Sequence, residues 1–255
     1  MLTAITRSVS PSLNNCELGF LPRQVIDVAK AVEQHRAYEA SLRDLGVNVI
    51  SLPAETDLPD SMFVEDPAVV VNEVAIMTRM GAESRRGESE SLAAALSRYR
   101  PLRWMSEPAT LEGGDVLRIG SEIFVGRSKR TNALGIAQLA HELEPLGYSV
   151  QAVEVRECLH LKSACCALDE NTLLANRNWI DTTPLKKFHI IDVPAAEPHS
   201  ANVLAVGGVV LIASAFPQTA KLLESQGYQL RVMGISELTK AEAGLTCSSI
   251  LFESN

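Results

Sequence analysis

The chain has 255 residues and a formal net charge of −8, with 46% hydrophobic and 21% charged residues. This composition is that of a globular protein, long enough for one large domain or two small ones. The negative charge argues against a nucleic-acid partner, which requires a basic surface, whereas an acidic pocket would attract a small cation.

We expect no targeting signal and no membrane-spanning segment from the sequence pattern. The N-terminus, MLTAITRSVSPSLNN, lacks the apolar core of a signal peptide. The longest apolar stretch, VLAVGGVVLIASAF, is too short to span a bilayer and contains a Gly-Gly turn. The five cysteines, an odd number, fit a reduced compartment. We therefore expect a cytoplasmic protein with no membrane contact.

The first predicted elements are a strand, TAITRSV, and an amphipathic helix from Val25 to Leu45 whose apolar residues recur at three- and four-residue steps. Gly46 ends this helix as a left-handed C-cap, and an alternating strand follows. The same junction of helix, glycine and strand returns at Gly147 in LEPLGYSVQAVEV and at Gly227 in LESQGYQLRVM. The chain therefore contains an internal repeat.

A second recurring unit is a hairpin of two apolar strands around a short polar or glycine turn. The four predicted hairpins are AVVVNEVAIMTR, DVLRIGSEIFVG, ACCALDENTLLAN and VLAVGGVVLIA, and a last strand, CSSILFES, needs the N-terminal strand as its partner. The units recur at roughly 45 residues, the range of solenoids and propellers. Because the end strands are apolar and pairable, we predict a closed ring of about five units rather than an open solenoid, in a single domain of residues 1–255.

Chemically distinctive residues fall at one phase of this repeat, at the start of each hairpin. They are Asp66, Glu112, His160, Asn202 and Cys247, between 42 and 48 residues apart. Equivalent positions in a ring converge on its axis, so a thiol, an imidazole, an amide and two carboxylates would meet there. Taken singly, each has an ordinary explanation as a small core residue, a satisfied polar residue or a turn. The shared phase favours a catalytic site.

The stretch ECLHLKSACC also raises the possibility of a zinc site. Cys165 and Cys166 are adjacent at the beginning of a strand, so their side chains point to opposite faces. Cys158 and His160 share a face, but two ligands do not hold a structural zinc ion. We therefore expect no metal, with Cys165 and Cys166 as packing residues and His160 in the catalytic site.

The motifs DSMFVEDPAVV, GAESRRGE, EGGDVL, FVGRSKRTNALG, HLKSACC and AGLTCSS resemble the dimethylarginine dimethylaminohydrolase family of guanidino-modifying enzymes. The resemblance covers nearly the whole chain, with the motifs in family order. It implies a five-bladed α/β propeller of repeated ββαβ units, the pentein fold. It also implies hydrolysis of N-omega-methylated arginine to citrulline and methylamine or dimethylamine, without an obligatory cofactor.

The resemblance further implies a role for individual residues. Cys247 matches the nucleophile, His160 the general acid/base, and Glu112 the acid that supports the histidine and the guanidinium. The expected substrate-binding residues are Asp66 and Glu65 for the guanidinium, Arg85 and Arg130 for the α-carboxylate, and Asp60 with backbone groups near Leu18 and Ala241 for the α-amino group. The segment SLNNCELGF matches a mobile loop that closes over the substrate.

Alternative functions remain open. An arginine deiminase uses the same thiol chemistry with ammonia as the leaving group, but typically carries an additional helical insertion for which this chain is too short. An amidinotransferase is likewise usually longer. A propeller that acts only as a binding module would have no reason to combine Cys247 with His160. The expected partner is a small methylated arginine, and the resemblance implies a monomer or homodimer.

Overall fold

Fifteen strands form five three-stranded sheets in the computed structural model, which describes residues 1–254. The strands are β1 (Leu2–Arg7), β2 (Asn48–Leu52), β3 (Ala68–Val70), β4 (Ala75–Met77), β5 (Leu102–Trp104), β6 (Val116–Ile119), β7 (Glu122–Arg127), β8 (Ser149–Glu154), β9 (Cys165–Ala167), β10 (Thr172–Ala175), β11 (His189–Asp192), β12 (Leu204–Val206), β13 (Val209–Ala213), β14 (Gln229–Met233) and β15 (Ile250–Glu253). The α-helices are α1 (Val28–Asp44), α2 (Ser89–Leu96), α3 (Ala133–Leu143), α4 (Leu161–Ala164), α5 (Pro217–Ser225) and α6 (Ser236–Thr239). Short 3-10 helices cover Leu13–Asn15, Glu83–Glu88, Gly113–Asp115, Glu144–Leu146, Thr183–Leu185 and Thr246–Ser248.

All five sheets share one topology. Each middle strand pairs antiparallel with one neighbour and parallel with the other, in the orders β15-β1-β2, β3-β4-β5, β6-β7-β8, β9-β10-β11 and β12-β13-β14. The antiparallel pair is the predicted hairpin, and a crossover leads to the parallel strand. The five-fold repeat of the sequence is therefore a repeat of one sheet topology.

The two ends of the chain complete one of these sheets. The N-terminal strand β1 pairs antiparallel with β15, with Leu2 opposite Glu253 and Ile5 opposite Ile250. This pairing confirms the partner predicted for the last strand. It joins residues that are far apart in sequence through backbone hydrogen bonds.

The predicted helix boundaries are partly wrong. Helix α1 begins three residues later than expected, at Val28, because Asp27 is its N-cap and accepts a hydrogen bond from the Lys30 N–H. Val25 lies outside the helix and is 84% exposed. The three glycine C-caps are confirmed, since Gly46, Gly147 and Gly227 have φ angles of 81°, 91° and 89°.

The repeat is irregular in its fourth unit. Between β10 and β11, where the other units have an α-helix, the described chain has the 3-10 helix Thr183–Leu185. Pro184 stands at its start, and Asp181 accepts hydrogen bonds from the N–H and hydroxyl groups of Thr183. These local contacts favour a tight turn over a longer helix. The ββαβ unit is therefore not repeated in full.

The chain divides into two compact units, each with its own apolar core. The first consists of Met1–Glu65 and the described residues from Val203 onward, and its core packs Tyr38 and Leu42 of α1 against β13 and β14. The second, Asp66–Asn202, contains two clusters, one around β7 and α3 and one around α4, β9 and β10. Among residues 1–254, no helix has the length and apolar character needed to cross a membrane.

Candidate active site

Three predicted site residues of the second unit occupy the loops that lead into β3, β6 and β9. His160 Nε2 lies 2.7 Å from Glu112 Oε2, and His160 Nδ1 lies 3.9 Å from Asp66 Oδ1. Asp66, Glu112 and His160 are 3%, 0% and 4% exposed. The repeat thus brings two carboxylates and an imidazole into one buried cluster within this unit.

Gly114 makes the close approach of these side chains possible. A Cβ atom there would lie 2.5 Å from His160 Nδ1 and 2.8 Å from Asp66 Oδ1, distances that real Cβ contacts do not reach. The Gly114 N–H also donates to Asp66 Oδ1 at 2.9 Å. Glycine at position 114 is therefore needed for more than the turn, because only a residue without a Cβ atom lets Asp66 and His160 lie this close to the backbone.

Two arginines complete the charge cluster. Arg85 donates through Nη1 to Asp66 Oδ2 at 2.8 Å, and through Nε and Nη2 to the two oxygens of Glu88 at 2.9 Å each. Arg130 Nη1 lies 3.3 Å from Glu112 Oε1. Both predicted carboxylate-binding arginines thus lie beside the acids, and each holds an acid in one orientation.

The electrostatics of the cluster favour an imidazolium. Burial lowers the pKa of His160, but the negative charges of Asp66 and Asp115 and the hydrogen bond and charge of Glu112 outweigh it and raise the pKa to about 9. For Glu112, burial acts to raise the pKa. The hydrogen bond and charge of His160, with Arg85 and Arg130, instead hold it well below its usual range. At neutral pH the pair is therefore an imidazolium beside a carboxylate.

The same three side chains present atoms within 4.8 Å of one another, a spacing that is compatible with a metal ion. The carboxylate oxygens, however, are engaged by protein donors: Gly114 and Arg85 at Asp66, and His160 and Arg130 at Glu112. The Ala82 N–H also donates to Glu112 Oε1 at 3.0 Å. The carboxylates of Asp66 and Glu112 thus have their partners within a network of hydrogen bonds and ion pairs.

Cys247 belongs to the first unit. It lies within the 3-10 helix Thr246–Ser248 just before β15, with its side chain half-buried and its Sγ 3.4 Å from the Gly244 nitrogen. Its carbonyl accepts the Glu65 N–H at 3.3 Å, and the Thr246 hydroxyl donates to Glu65 Oε2 at 2.8 Å. The predicted nucleophile and one predicted guanidinium-binding acid are therefore neighbours. Among residues 1–254, none of the five cysteines forms a disulfide.

The remaining predicted residues of the first unit surround an exposed loop. Asp60 is buried, and its Oδ2 accepts the Glu17 N–H at 2.9 Å, one residue before Leu18. Next to Ala241, the Glu242 carboxylate accepts three consecutive backbone N–H groups of the loop. They belong to Gly19 (2.8 Å), Phe20 (2.5 Å) and Leu21. Glu242 has a φ angle of 58°, the left-handed region that non-glycine residues rarely adopt.

Sequence reasoning missed four supporting side chains. Thr246 and Glu242 support the first unit, and Glu88 and Asp115 support the second. Asp115 lies within the quoted motif EGGDVL. Glu88 and Thr246 lie within the motifs GAESRRGE and AGLTCSS, and Glu242 lies outside the quoted motifs. None of the four was assigned a role, because their roles depend on which side chains meet in the fold.

Comparison with known proteins gives consistent results. The family described as N,N dimethylarginine dimethylhydrolase, eukaryotic, matches residues 21–209. The N(G),N(G)-dimethylarginine dimethylaminohydrolase of Streptomyces coelicolor is 40% identical over 97% of this chain and 95% of its own length. The protein of the same name from Pseudomonas aeruginosa is 37% identical over 89% of this chain and 90% of its own.

Solved structures agree with the sequence comparison. The chain is similar to a cysteine-to-serine mutant of the Pseudomonas aeruginosa enzyme complexed with citrulline, with a TM-score of 0.93, 35% identity and 98% of each chain covered. A second structure is a histidine-to-glycine dimethylarginine dimethylaminohydrolase adduct with S-methyl-L-thiocitrulline, with a TM-score of 0.92, 35% identity and coverage of 98% of this chain and 99% of that one. The N-terminal domain of ArgZ, an arginine dihydrolase from cyanobacteria, shares the fold at 16% identity, a TM-score of 0.83 and 98% of each chain covered.

Proposed function

This chain belongs to the dimethylarginine dimethylaminohydrolase family, and we propose from this premise that it hydrolyses N-omega-methylated arginine to L-citrulline. Asymmetric dimethylarginine would release dimethylamine, and monomethylarginine would release methylamine. The observation that carries the proposal is the buried pair of Glu112 and His160, joined at 2.7 Å beside Asp66. The relatives that carry this name and the citrulline complex of one of them support the same reaction.

The proposed reaction begins at the central guanidinium carbon. A guanidinium is planar, cationic and weakly electrophilic, so paired carboxylates are needed to hold it in one orientation and keep its charge. We assign this task to Asp66, Glu65 and Glu112. The nucleophile is the thiolate of Cys247, since a thiolate attacks far more readily than a thiol and a neighbouring cation favours its formation. Attack forms a C–S bond and a tetrahedral adduct.

His160 then acts twice. As an imidazolium it donates a proton to the departing amine, and the C–N bond breaks, leaving an S-alkylthiouronium on Cys247. General acid catalysis of this kind contributes roughly a hundredfold to ten-thousandfold. The neutral imidazole next takes a proton from a water molecule, which attacks the same carbon. The C–S bond breaks, citrulline leaves, and the thiolate and the imidazolium are restored, while the second proton of the water passes through solvent to the released amine.

Recognition of the amino-acid end is assigned to the remaining predicted residues. Arg85 and Arg130 would bind the α-carboxylate, for which a planar guanidinium offers paired donors. Because Arg85 already pairs with Asp66 and Glu88, the substrate would share its guanidinium with these acids. Asp60 and backbone groups near Leu18 and Ala241 would bind the α-amino group.

We also propose that the five sheets are the blades of a five-bladed propeller, the pentein fold, in one catalytic domain of residues 1–255. The common topology of the sheets and the pairing of β1 with β15 support this arrangement. A monomer or homodimer in the cytoplasm is part of the same proposal. The odd number of cysteines supports a reduced compartment, and the family resemblance supports the monomer or homodimer. The small methylated arginine is the expected partner, and no cofactor takes part.

The test is citrulline release by the purified protein from asymmetric dimethylarginine, monomethylarginine and unmethylated arginine. The proposal expects citrulline from the two methylated substrates, with no comparable turnover of arginine. Strong turnover of arginine would instead indicate a deiminase. No citrulline from any of the three would favour the binding-module alternative and contradict the proposal.

A further inference from the structure

Asp115 is a buried acid that the proposed reaction does not use. It ends the 3-10 helix Gly113–Asp115, three residues after Glu112, and has 0% exposure. A buried carboxylate is costly unless it accepts hydrogen bonds, so its partners indicate why it is there. Burial raises the pKa of Asp115, while its hydrogen-bond donors and the charge of His160 act to lower it.

One oxygen of Asp115 binds the backbone immediately after the catalytic histidine. The Leu161 N–H donates to Asp115 Oδ1 at 2.9 Å, and Leu161 is the first residue of α4. His160 is the N-cap of this helix, but its own side chain makes no capping hydrogen bond. Asp115 therefore accepts one of the N–H groups that have no partner within the helix at its first turn, and thereby restrains the backbone next to His160.

The other oxygen binds the turn that carries Arg130. The Ser128 hydroxyl donates to Asp115 Oδ2 at 2.6 Å. The same hydroxyl accepts the N–H groups of Arg130 at 3.0 Å and Thr131 at 3.2 Å. One carboxylate thus joins two segments, the start of α4 behind the imidazole and the turn from Ser128 to Thr131.

Packing leaves Asp115 little freedom to move. A Cβ atom at Gly126, in the middle strand β7, would lie 2.5 Å from Asp115 Oδ1 and 2.9 Å from the Leu161 Cβ. The sheet backbone thus lies directly against the carboxylate and the residue that it binds. A displaced or reoriented carboxylate has no space on that side.

We propose that Asp115 is a positioning residue of this active site, whose two carboxylate oxygens hold the His160 segment and the Arg130 turn in one mutual geometry. The inference rests on the proposed function. Asp115 touches no reacting atom in this account and acts through its two neighbours. It also adds negative charge near His160, together with Asp66 and Glu112.

Two substitutions test the effect of Asp115 on His160 and its effect on the Arg130 turn separately. Asp115→Asn keeps an oxygen for the Leu161 N–H but removes the negative charge. We expect kcat to fall by roughly tenfold to a hundredfold, with KM changed less than kcat. This loss is smaller than the full effect of a general acid/base, because His160 itself is still present. The limb of the pH–rate profile that follows His160 should move to lower pH, because fewer negative charges then stabilise the imidazolium.

Ser128→Ala leaves the charge of Asp115 in place and releases the Arg130 turn. We expect KM for dimethylarginine to rise several-fold, with the pH profile unchanged. The control is Asp192→Asn, which removes an exposed carboxylate of the same unit that pairs with Arg177, and should leave kcat, KM and the pH profile as in the wild type. Wild-type KM in Ser128→Ala would overturn the Arg130 half of the proposal, even where Asp115→Asn fails to fold.

A measurement without substrate keeps the inference separate from the proposed function. Proton NMR of the imidazole groups follows the titration of His160, assigned by comparison with His160→Gln. In Asp115→Asn the His160 midpoint should fall, and an unchanged midpoint together with wild-type kcat would overturn the positioning role. A wild type that releases no citrulline overturns the proposed function instead, while the shift of the midpoint still tests the link between Asp115 and His160.

Discussion

The charge cluster of the second unit and the loop region of the first unit are stabilised in different ways. Asp66, Glu112 and His160 are buried, and charged or backbone donors bind the carboxylate oxygens of the two acids. In the first unit, the exposed N–H groups from Gly19 to Leu21 bind the side chain of Glu242. Removing one partner of a buried ion pair is strongly destabilising, whereas water replaces an exposed partner at little cost.

This difference indicates a division of tasks within the proposed enzyme. The groups that transfer protons are preorganised, because buried hydrogen bonds and ion pairs hold them in place. The loop that the family resemblance associates with closure over the substrate has exposed hydrogen bonds to Glu242 at its end, which water can replace. Substitutions in the buried cluster should therefore change kcat, and substitutions at the loop contact should change KM.

The largest expected effect is at Cys247. Cys247→Ser replaces the thiol by a hydroxyl with a far higher pKa, so we expect kcat for dimethylarginine to fall by at least roughly a thousandfold, as for other catalytic nucleophiles. Citrulline release measures the effect, with Cys166→Ser as a control that changes a buried cysteine outside the proposed chemistry. A Cys247→Ser protein with substantial turnover would contradict the assignment.

The next effect is at His160. In His160→Gln the proton donor to the leaving amine is lost, and kcat should fall by roughly a hundredfold to ten-thousandfold. The loss should be smaller in the first step for S-methyl-L-thiocitrulline, because methanethiolate leaves without protonation. Comparable losses for both substrates in single-turnover assays would show that His160 does not act as the general acid.

The buried pair should also make stability depend on pH. The pKa of His160 is raised from 6.5 to about 9 in the folded protein. The contribution of the protonated His160 to the free energy of unfolding is therefore fully present below pH 6.5 and is lost as the pH rises through about 9. The contribution is of the order of 1–3 kcal/mol, and the lowered pKa of Glu112 reflects the same interaction. Urea unfolding at pH 6 and pH 10 should give a larger loss for the wild type than for His160→Gln. Equal losses would disprove this coupling.

The smallest effect belongs to the loop contact. Glu242→Gly removes the carboxylate and keeps a residue suited to the φ angle of 58°. We expect KM to rise roughly threefold to tenfold, about 1 kcal/mol, with kcat within about twofold of the wild type. Steady-state kinetics measure both values, with Glu224→Gln, an exposed acid on α5, as the control. A fall in kcat with an unchanged KM would contradict the proposal that the loop contact acts on substrate binding and the buried cluster on catalysis.

The sequence predicted the repeat and its phase well, because both depend on local patterns. Alternating strands, glycine C-caps and apolar chain ends are properties of short segments, and Gly46 and Gly147 behave as expected. The fourth unit departed from the pattern because local hydrogen bonds at Asp181 favour a short turn.

The supporting residues of the site were less predictable. The roles of Glu88 and Asp115 depend on the segments that they contact in the folded chain. The lack of a Cβ atom at Gly114 is important only because the imidazole of His160 lies beside it. Such contacts depend on the approach of backbones that are distant in sequence. A single sequence identifies the reactive groups more readily than the groups that hold them.

The most direct test of the account is intact-protein and peptide mass spectrometry of His160→Gln after incubation with S-methyl-L-thiocitrulline and an acid quench. Attack by the Cys247 thiolate expels methanethiolate and leaves a thiouronium that, without the histidine, water attacks slowly. We expect one adduct, on the peptide that contains Cys247, and none on the peptides of the other four cysteines. No adduct, or an adduct on another cysteine, would contradict the central claim that Cys247 is the nucleophile.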